Sequence, residues 1–232
     1  MQVKAILFDK DGTLFDFHAT WSVWVGRAII EFSQGDTALQ RRIAEATHYD
    51  FETRKVRLTS PVIACTNRQV SESIAEVIPG KSVEEVEEYL MLSAAEVTQV
   101  PVVPLGPCLE QLLARGLALG VMTNDTEYCA HAHLGKAGIS DKFRFVAGFD
   151  SGFGAKPDPD PLLAFARAID VAPANVIMVG DSAHDLVAGR AAGMVTMGVL
   201  TGVALEHDLA PFADVILPDI GHIHAWLDNP SI

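Results

Sequence analysis

Asp9 and Asp11, two residues apart, follow directly on the apolar run Ala5-Ile6-Leu7-Phe8 and precede Gly12. A short apolar run of this kind reads as a strand buried on both faces. Two carboxylates at the end of such a strand repel one another, and burial raises the cost of charging them unless a cation or shared proton offsets it. The pair therefore points to metal-assisted chemistry at the carboxyl end of a first strand, where open α/β sheets place their ligands. Two more apolar runs end in polar groups. Residues 117–122 lead into Thr123-Asn124, and residues 176–179 into Gly180-Asp181 with Asp185 four positions on. Parallel strands bring these ends to one rim. Asp9, Asp11 and Asp181 would there supply hard oxygen ligands for Mg²⁺, with water or substrate phosphate completing an octahedron. Lys156 precedes Pro157, which holds it extended, so its ammonium can be aimed at an anion. Lys10, between the two aspartates, is expected by strand alternation to point away from them.

The elements that must position these groups alternate along the C-terminal part of the chain. Strands are expected over 3–8, 117–122, 145–148, 176–179, 195–199 and 215–217. Helices are expected over 108–115, 127–137, 161–169 and 186–192, with Gly116, Gly138 and Gly193 as stops. Strand–helix alternation implies right-handed crossovers and a parallel sheet. Between the first two strands the character changes. Trp21, Trp24, Val25, Ala28, Ile29 and Phe32 recur at helical spacing. Further helices are expected over 38–47 and 71–78, and from the Ser82/Glu85 capping box to about residue 97. The Pro101–Pro107 stretch reads as a linker. The expected architecture is α/β: a doubly wound, Rossmann-like parallel sheet core over 1–16 and 102–232, with a helical cap domain over 17–101.

Asp9-Lys10-Asp11-Gly12-Thr13, Thr123-Asn124, Lys156-Pro157 and Gly180-Asp181 with Asp185 resemble, in order, the four motifs of the haloacid dehalogenase superfamily. The resemblance spans nearly the whole chain, including a helical cap between the first two motifs. It implies Asp9 as a nucleophile forming an aspartyl-phosphate and Asp11 as the acid, then base, for the leaving alcohol and water. Thr123, Asn124 and Lys156 would hold the phosphoryl group. Mg²⁺ would be held by the Asp9 carboxylate, the Asp11 carbonyl and Asp181, with Asp185 orienting from behind. A halide leaves unprotonated, so an acid at Asp11 favours a phosphatase over a dehalogenase. Thr13 favours a phosphatase over a sugar phosphomutase, and the Asp-Gly-Thr-Leu-Phe-Asp string most resembles phosphoglycolate phosphatases. Phosphomutase, dehalogenase and a non-catalytic phosphate-binding scaffold are the alternatives.

Composition narrows the partners. Thirty acidic against seventeen basic residues give a formal charge of −13, a poor basis for binding nucleic acid or anionic membranes. A small phosphorylated metabolite is the expected ligand, phosphoglycolate the first guess, and the protein a monomer or homodimer. Three cysteines without a C-x-x-C pair read as reduced packing thiols. With no signal-like or membrane-length apolar run, cytoplasm is the expected location. In the cap, Arg54, Arg57 and Arg68 are candidates for a substrate carboxylate or second phosphate, against the plainer reading of a solvated helix face.

Overall fold

The computed structural model describes residues 2–229. Its main sheet has six parallel strands: β1 (Ala5–Phe8), β4 (Ala118–Met122), β5 (Phe145–Ala147), β6 (Val176–Gly180), β7 (Val195–Val199) and β8 (Val215–Leu217), in the order β5-β4-β1-β6-β7-β8. All four β1 residues are fully buried. Ile6 and Phe8 enter one apolar cluster with Leu119, Val121, Ile177 and Val179, while Ala5 and Leu7 enter another with Met122, Val176 and Met178. Both faces of the strand are thus covered, which is why its sequence is continuously apolar.

Helices α6 (Leu105–Ala114), α7 (Glu127–Lys136), α8 (Asp160–Ala168), α9 (Ala183–Ala191), α10 (Glu206–Leu209) and α11 (Ile223–Asp228) accompany the sheet. Gly120 lets Phe165 of α8 lie against β4; a Cβ there would stand 2.6 Å from Phe165 Cε2. Strand order reverses about β1, with β4 on one side and β6 on the other. The crevice of a doubly wound sheet opens at such a switch point.

Between β1 and β4 lie a π-helical turn at His18–Ser22, α1 (Val23–Ser33), α2 (Thr37–Ala46), the small antiparallel pair β2 (Tyr49–Asp50) and β3 (Lys55–Val56), α3 (Pro61–Ala64), α4 (Asn67–Ala75) and α5 (Val83–Ala95). This stretch has its own apolar cluster, including Trp21, Trp24, Ile29, Ile43, Val70, Ile74 and Leu90. Helix α4 starts at Asn67 rather than near residue 71, because Thr66 and Gln69 form a capping box. The β2–β3 hairpin was not expected. The chain leaves and re-enters the sheet side by side: Asp16 N–H donates to Val100 O at 2.8 Å, and Val102 N–H to Leu14 O at 3.1 Å.

Side chains of α7 meet carbonyls near the end of α5. His133 Nε2 lies 2.9 Å from Ala94 O and Lys136 Nζ 2.9 Å from Ala95 O; Cys129 Sγ lies 3.2 Å from Met91 O. Burial pushes the Cys129 thiol up to about 12, so it is a protonated donor. No helix among the described residues is long and apolar enough to cross a membrane.

Candidate active site

The Asp9 carboxylate stands one residue past β1, Thr123 one past β4 and Asp181 one past β6. All three line one cavity of about 700 Å³, counting its open mouth, together with Asp11, Asn124, Lys156 and Asp185. Strand ends thus gather every core residue that the motifs singled out.

Lys156 organises the floor. Its Nζ donates to Asp9 Oδ1 at 2.5 Å, Asp185 Oδ1 at 2.6 Å and Met122 O at 3.0 Å. Its backbone is pinned by Asn124, whose Oδ1 accepts from Lys156 N–H and whose Nδ2 donates to Lys156 O, both at 2.9 Å. Asn124 thereby fixes the lysine rather than presenting a free amide. Thr123 Oγ1 accepts from Asp125 N–H at 3.1 Å and lies in the cavity wall. Asp185 has a second tether, accepting from Ser182 N–H at 3.0 Å and Ser182 Oγ–H at 2.7 Å.

Carboxylate oxygens of Asp9, Asp181 and Asp185 lie within 4.8 Å of one another. One ammonium faces these three acids, and the imbalance is visible in the protonation of Asp9 and Asp181. Burial pushes Asp9 up to about 7; Lys156 opposes this and the charges of Asp185 and Asp11 add to it. Burial, then Asp9 and Asp185, hold Asp181 well above the usual carboxylate range. Two glycines give Asp181 its place. A Cβ on Gly202 would overlap the Asp181 carboxylate, and one on Gly12 would meet it too; Gly12 also has φ +89°, a left-handed conformation suited to glycine.

Asp11 is held from two sides. Trp21 Nε1 donates to its Oδ1 at 2.8 Å, and Lys10 Nζ lies 3.0 Å from its Oδ2. The expectation that Lys10 points away is therefore corrected. Strand alternation ends at Phe8, and residues 10–14 form a turn in which Leu14 N–H donates to Lys10 O at 2.9 Å. Lys10 is fully buried, also meeting Asp125 Oδ2 at 2.9 Å and His133 Nδ1 at 2.8 Å, with its ammonium 5.4 Å from the Trp21 ring centre. His133 accepts from Lys10 through Nδ1 and donates through Nε2 to Ala94 O, so it is a neutral Nε2–H tautomer. Burial and then the Lys10 charge hold its pKa below the ordinary value.

The structure does not bring Arg54, Arg57 or Arg68 to the cavity. Arg54 is exposed in a turn at φ +55°. Arg57, its side chain 65% exposed, pairs with Asp50 at 3.7 Å. Arg68 is bound by Glu72, Glu84 and Glu87 at 3.2, 3.1 and 2.8 Å. Instead, Phe17, Trp21, Trp24, Val62, Ile63 and Val70 form the opposite wall.

A family model described as haloacid dehalogenase-like hydrolase matches residues 3–193, all four motifs included. This chain belongs to the haloacid dehalogenase-like hydrolases. Among relatives of this family member, the phosphoglycolate phosphatase of Neisseria meningitidis serogroup A is 30% identical over 96% of the chain and 92% of its own length. Pyrophosphatase PpaX of Oceanobacillus iheyensis is 27% identical, covering 96% of each. A crystal structure described as a predicted phosphoglycolate phosphatase from Haemophilus somnus 129pt superposes with a TM-score of 0.71 at 19% identity, over 98% of this chain and 99% of that one. That likeness establishes the doubly wound fold. The acidic floor at the switch point of its sheet is this hydrolase's candidate active site.

Proposed function

We propose that the chain is a Mg²⁺-dependent phosphatase that hydrolyses a small phosphorylated metabolite, with residues 17–101 acting as a cap over a core of 1–16 and 102–232. The observation that carries the reading is Asp9: a buried carboxylate aimed into the cavity by Lys156, with Asp11 beside it in the same wall. The names of the relatives support the phosphatase class.

The reaction follows from these positions. An Asp9 carboxylate oxygen attacks phosphorus, the bond from phosphorus to the ester oxygen breaks, and Asp11 gives that oxygen a proton. Water then attacks the phosphorus of the aspartyl-phosphate, Asp11 takes the water's proton, and Asp9 is released with inorganic phosphate. Thr123 and Lys156 offer donors to the phosphoryl oxygens, whose charge the enclosed site must match. Trp21 and Lys10 keep Asp11 oriented through both steps.

The acidic cluster fits a hard dication. Three oxygen-donor side chains converge, one lysine opposes them, and burial, with the charge of neighbouring carboxylates, raises Asp9 and Asp181. Asp9 and Asp181 would hold Mg²⁺ with the Asp11 carbonyl, and Asp185 would orient the set through Lys156. When bound, the ion supplies positive charge to the phosphoryl oxygens.

Phosphate release from 4-nitrophenyl phosphate with Mg²⁺, its loss in EDTA and its return on adding Mg²⁺ test this reading; halide release from a 2-haloacid without phosphate release would contradict it. Mg²⁺ is also expected to raise the thermal midpoint, since a ligand bound only by the folded state stabilises it. Gly202→Ala displaces Asp181 and should weaken that shift, giving a measure of metal binding independent of turnover. Asp11→Asn should slow the first-turnover release of alcohol from alkyl phosphates by about 10²–10⁴-fold and the first-turnover release of nitrophenolate from 4-nitrophenyl phosphate much less, because nitrophenolate leaves unprotonated. Equal losses in that first step on both esters would remove the acid role from Asp11.

A further inference from the structure

We propose that the alcohol released from the substrate carries an uncharged, apolar group, aromatic or branched alkyl, rather than a carboxylate or a second phosphate. The inference rests on the phosphatase reading above and concerns the wall facing the acidic floor.

Phosphate has its partners on the floor. The rest of the substrate must lie against the helical wall, where the side chains are indoles, a phenyl ring and branched aliphatics. Both indole N–H groups are already engaged. Trp21 Nε1 donates to Asp11, and Trp24 Nε1 donates to Ser93 Oγ at 3.0 Å. What the two tryptophans offer the cavity is ring surface, which carries a negative quadrupole on its face. Cys65 adds a thiol whose pKa is raised by burial, and hence stays neutral.

An anionic leaving group needs a cation or several N–H donors, because burying an unpaired carboxylate is strongly unfavourable. Among the described residues lining the cavity, Lys156 is the one lysine or arginine, and it lies on the floor between Asp9 and Asp185. The arginines of the helical stretch nearest in sequence to this wall are committed elsewhere: Arg57 toward Asp50, and Arg68 to three glutamates. Asn67, the polar side chain on this wall, spends its Nδ2 on Glu87 O at 3.3 Å. Its Oδ1 would repel a carboxylate but accept from a hydroxyl. Asp125 and Asp11 also line the cavity, and the single Lys10 ammonium between them leaves net negative charge there. Ser182 and His184 also line the cavity, at the start of α9, where the Ser182 hydroxyl is spent on Asp185; on the helical wall itself, charge and hydrogen-bonding capacity select against a second anion. The wall thus separates this chain from the substrates named in its relatives, phosphoglycolate and pyrophosphate, both of which keep a charge on the departing fragment.

Benzyl phosphate and 2-phosphoglycolate test the proposal, since both release an alkoxide of similar basicity and differ in the group it carries. With purified protein and Mg²⁺, kcat/KM for benzyl phosphate should exceed that for 2-phosphoglycolate by about tenfold to a hundredfold, the range that one mismatched group in a pocket produces. Val62→Arg places a cation on the wall and should move the ratio at least about tenfold toward 2-phosphoglycolate. Equal or better turnover of 2-phosphoglycolate by the unaltered protein would overturn the proposal while leaving the phosphatase reading intact. A ratio unmoved by Val62→Arg in a folded variant would overturn it as well. Failure to release phosphate from all three esters, 4-nitrophenyl phosphate included, would remove the phosphatase reading and this proposal with it.

Discussion

Asp9→Asn is expected to lower phosphate release by at least about a thousandfold while the protein stays folded. The amide keeps an oxygen that can accept from Lys156 Nζ, now 2.5 Å from the carboxylate, so the side chain's anchor survives. What disappears is the nucleophile. Burial pushes the Asp9 acid up to about 7, so in metal-free protein the carboxylate is partly protonated near neutral pH. The asparagine also relieves its repulsion with Asp181 and Asp185. Circular dichroism and thermal midpoint without Mg²⁺ should therefore stay close to those of the parent, whereas turnover collapses on good and poor leaving groups alike. That last feature separates Asp9 from Asp11, whose loss spares the first release of nitrophenolate from 4-nitrophenyl phosphate. Normal turnover by Asp9→Asn would sink the nucleophile assignment.

The largest effect on stability is expected at Lys10. Its ammonium is buried between Asp11 at 3.0 Å and Asp125 at 2.9 Å, and those acids together with burial shape its own protonation. The pull of the two carboxylates outweighs desolvation and holds Lys10 above its ordinary value, so it is charged. Lys10→Met keeps the aliphatic bulk and leaves two acids facing each other across an apolar thioether. Breaking a buried pair from one side costs about 3–5 kcal/mol. A chain of this size loses about 2–4 °C in Tm per kcal/mol, so the midpoint should fall by about 6–20 °C. Asp125→Asn in the same chain removes one of the stranded charges. The double variant should accordingly be more stable than the sum of the single effects allows, as groups in direct contact are. Strict additivity in urea denaturation would mean that Lys10 does not balance these acids.

Much of this site is legible in the chain because its groups sit where apolar runs stop. Asp9, Thr123 and Asp181 each follow a strand whose residues are buried on both faces, and a parallel sheet sends such ends to one rim. Lys10 was illegible for the complementary reason: alternation describes a strand, and at Lys10 the strand has already become a turn. His133 lies in the middle of α7, where a buried histidine has no local signature; its partners Lys10, Gln99 and Ala94 come from distant positions. Arg68 shows both cases. Its pairing with Glu72 is an i, i+4 contact readable on one helix, but Glu84 and Glu87 reach it only because α5 packs beside α4. The start of α4 did have a signal in the sequence, Thr66 with Gln69 three residues on. Trp21 stands on the apolar helical spacing and is buried accordingly, but its place in the cavity wall and its bond to Asp11 depend on the turn after β1.

The paired exit and return at Asp16–Val100 and Leu14–Val102 have a consequence for how such a protein can change. Seen from the sheet, everything between those ends is a closed loop, and the entropy of closing a loop grows only with the logarithm of its length. Heritable variation can therefore rewrite most of the wall that faces the cavity while Asp9, Asp181 and Asp185 stay in place, Trp21 excepted because it donates to Asp11. A second seam restrains that freedom further. Cys129, His133 and Lys136 of α7 are matched to the closing carbonyls of α5, so a replacement segment that ends in a different helix would require those three residues to change with it.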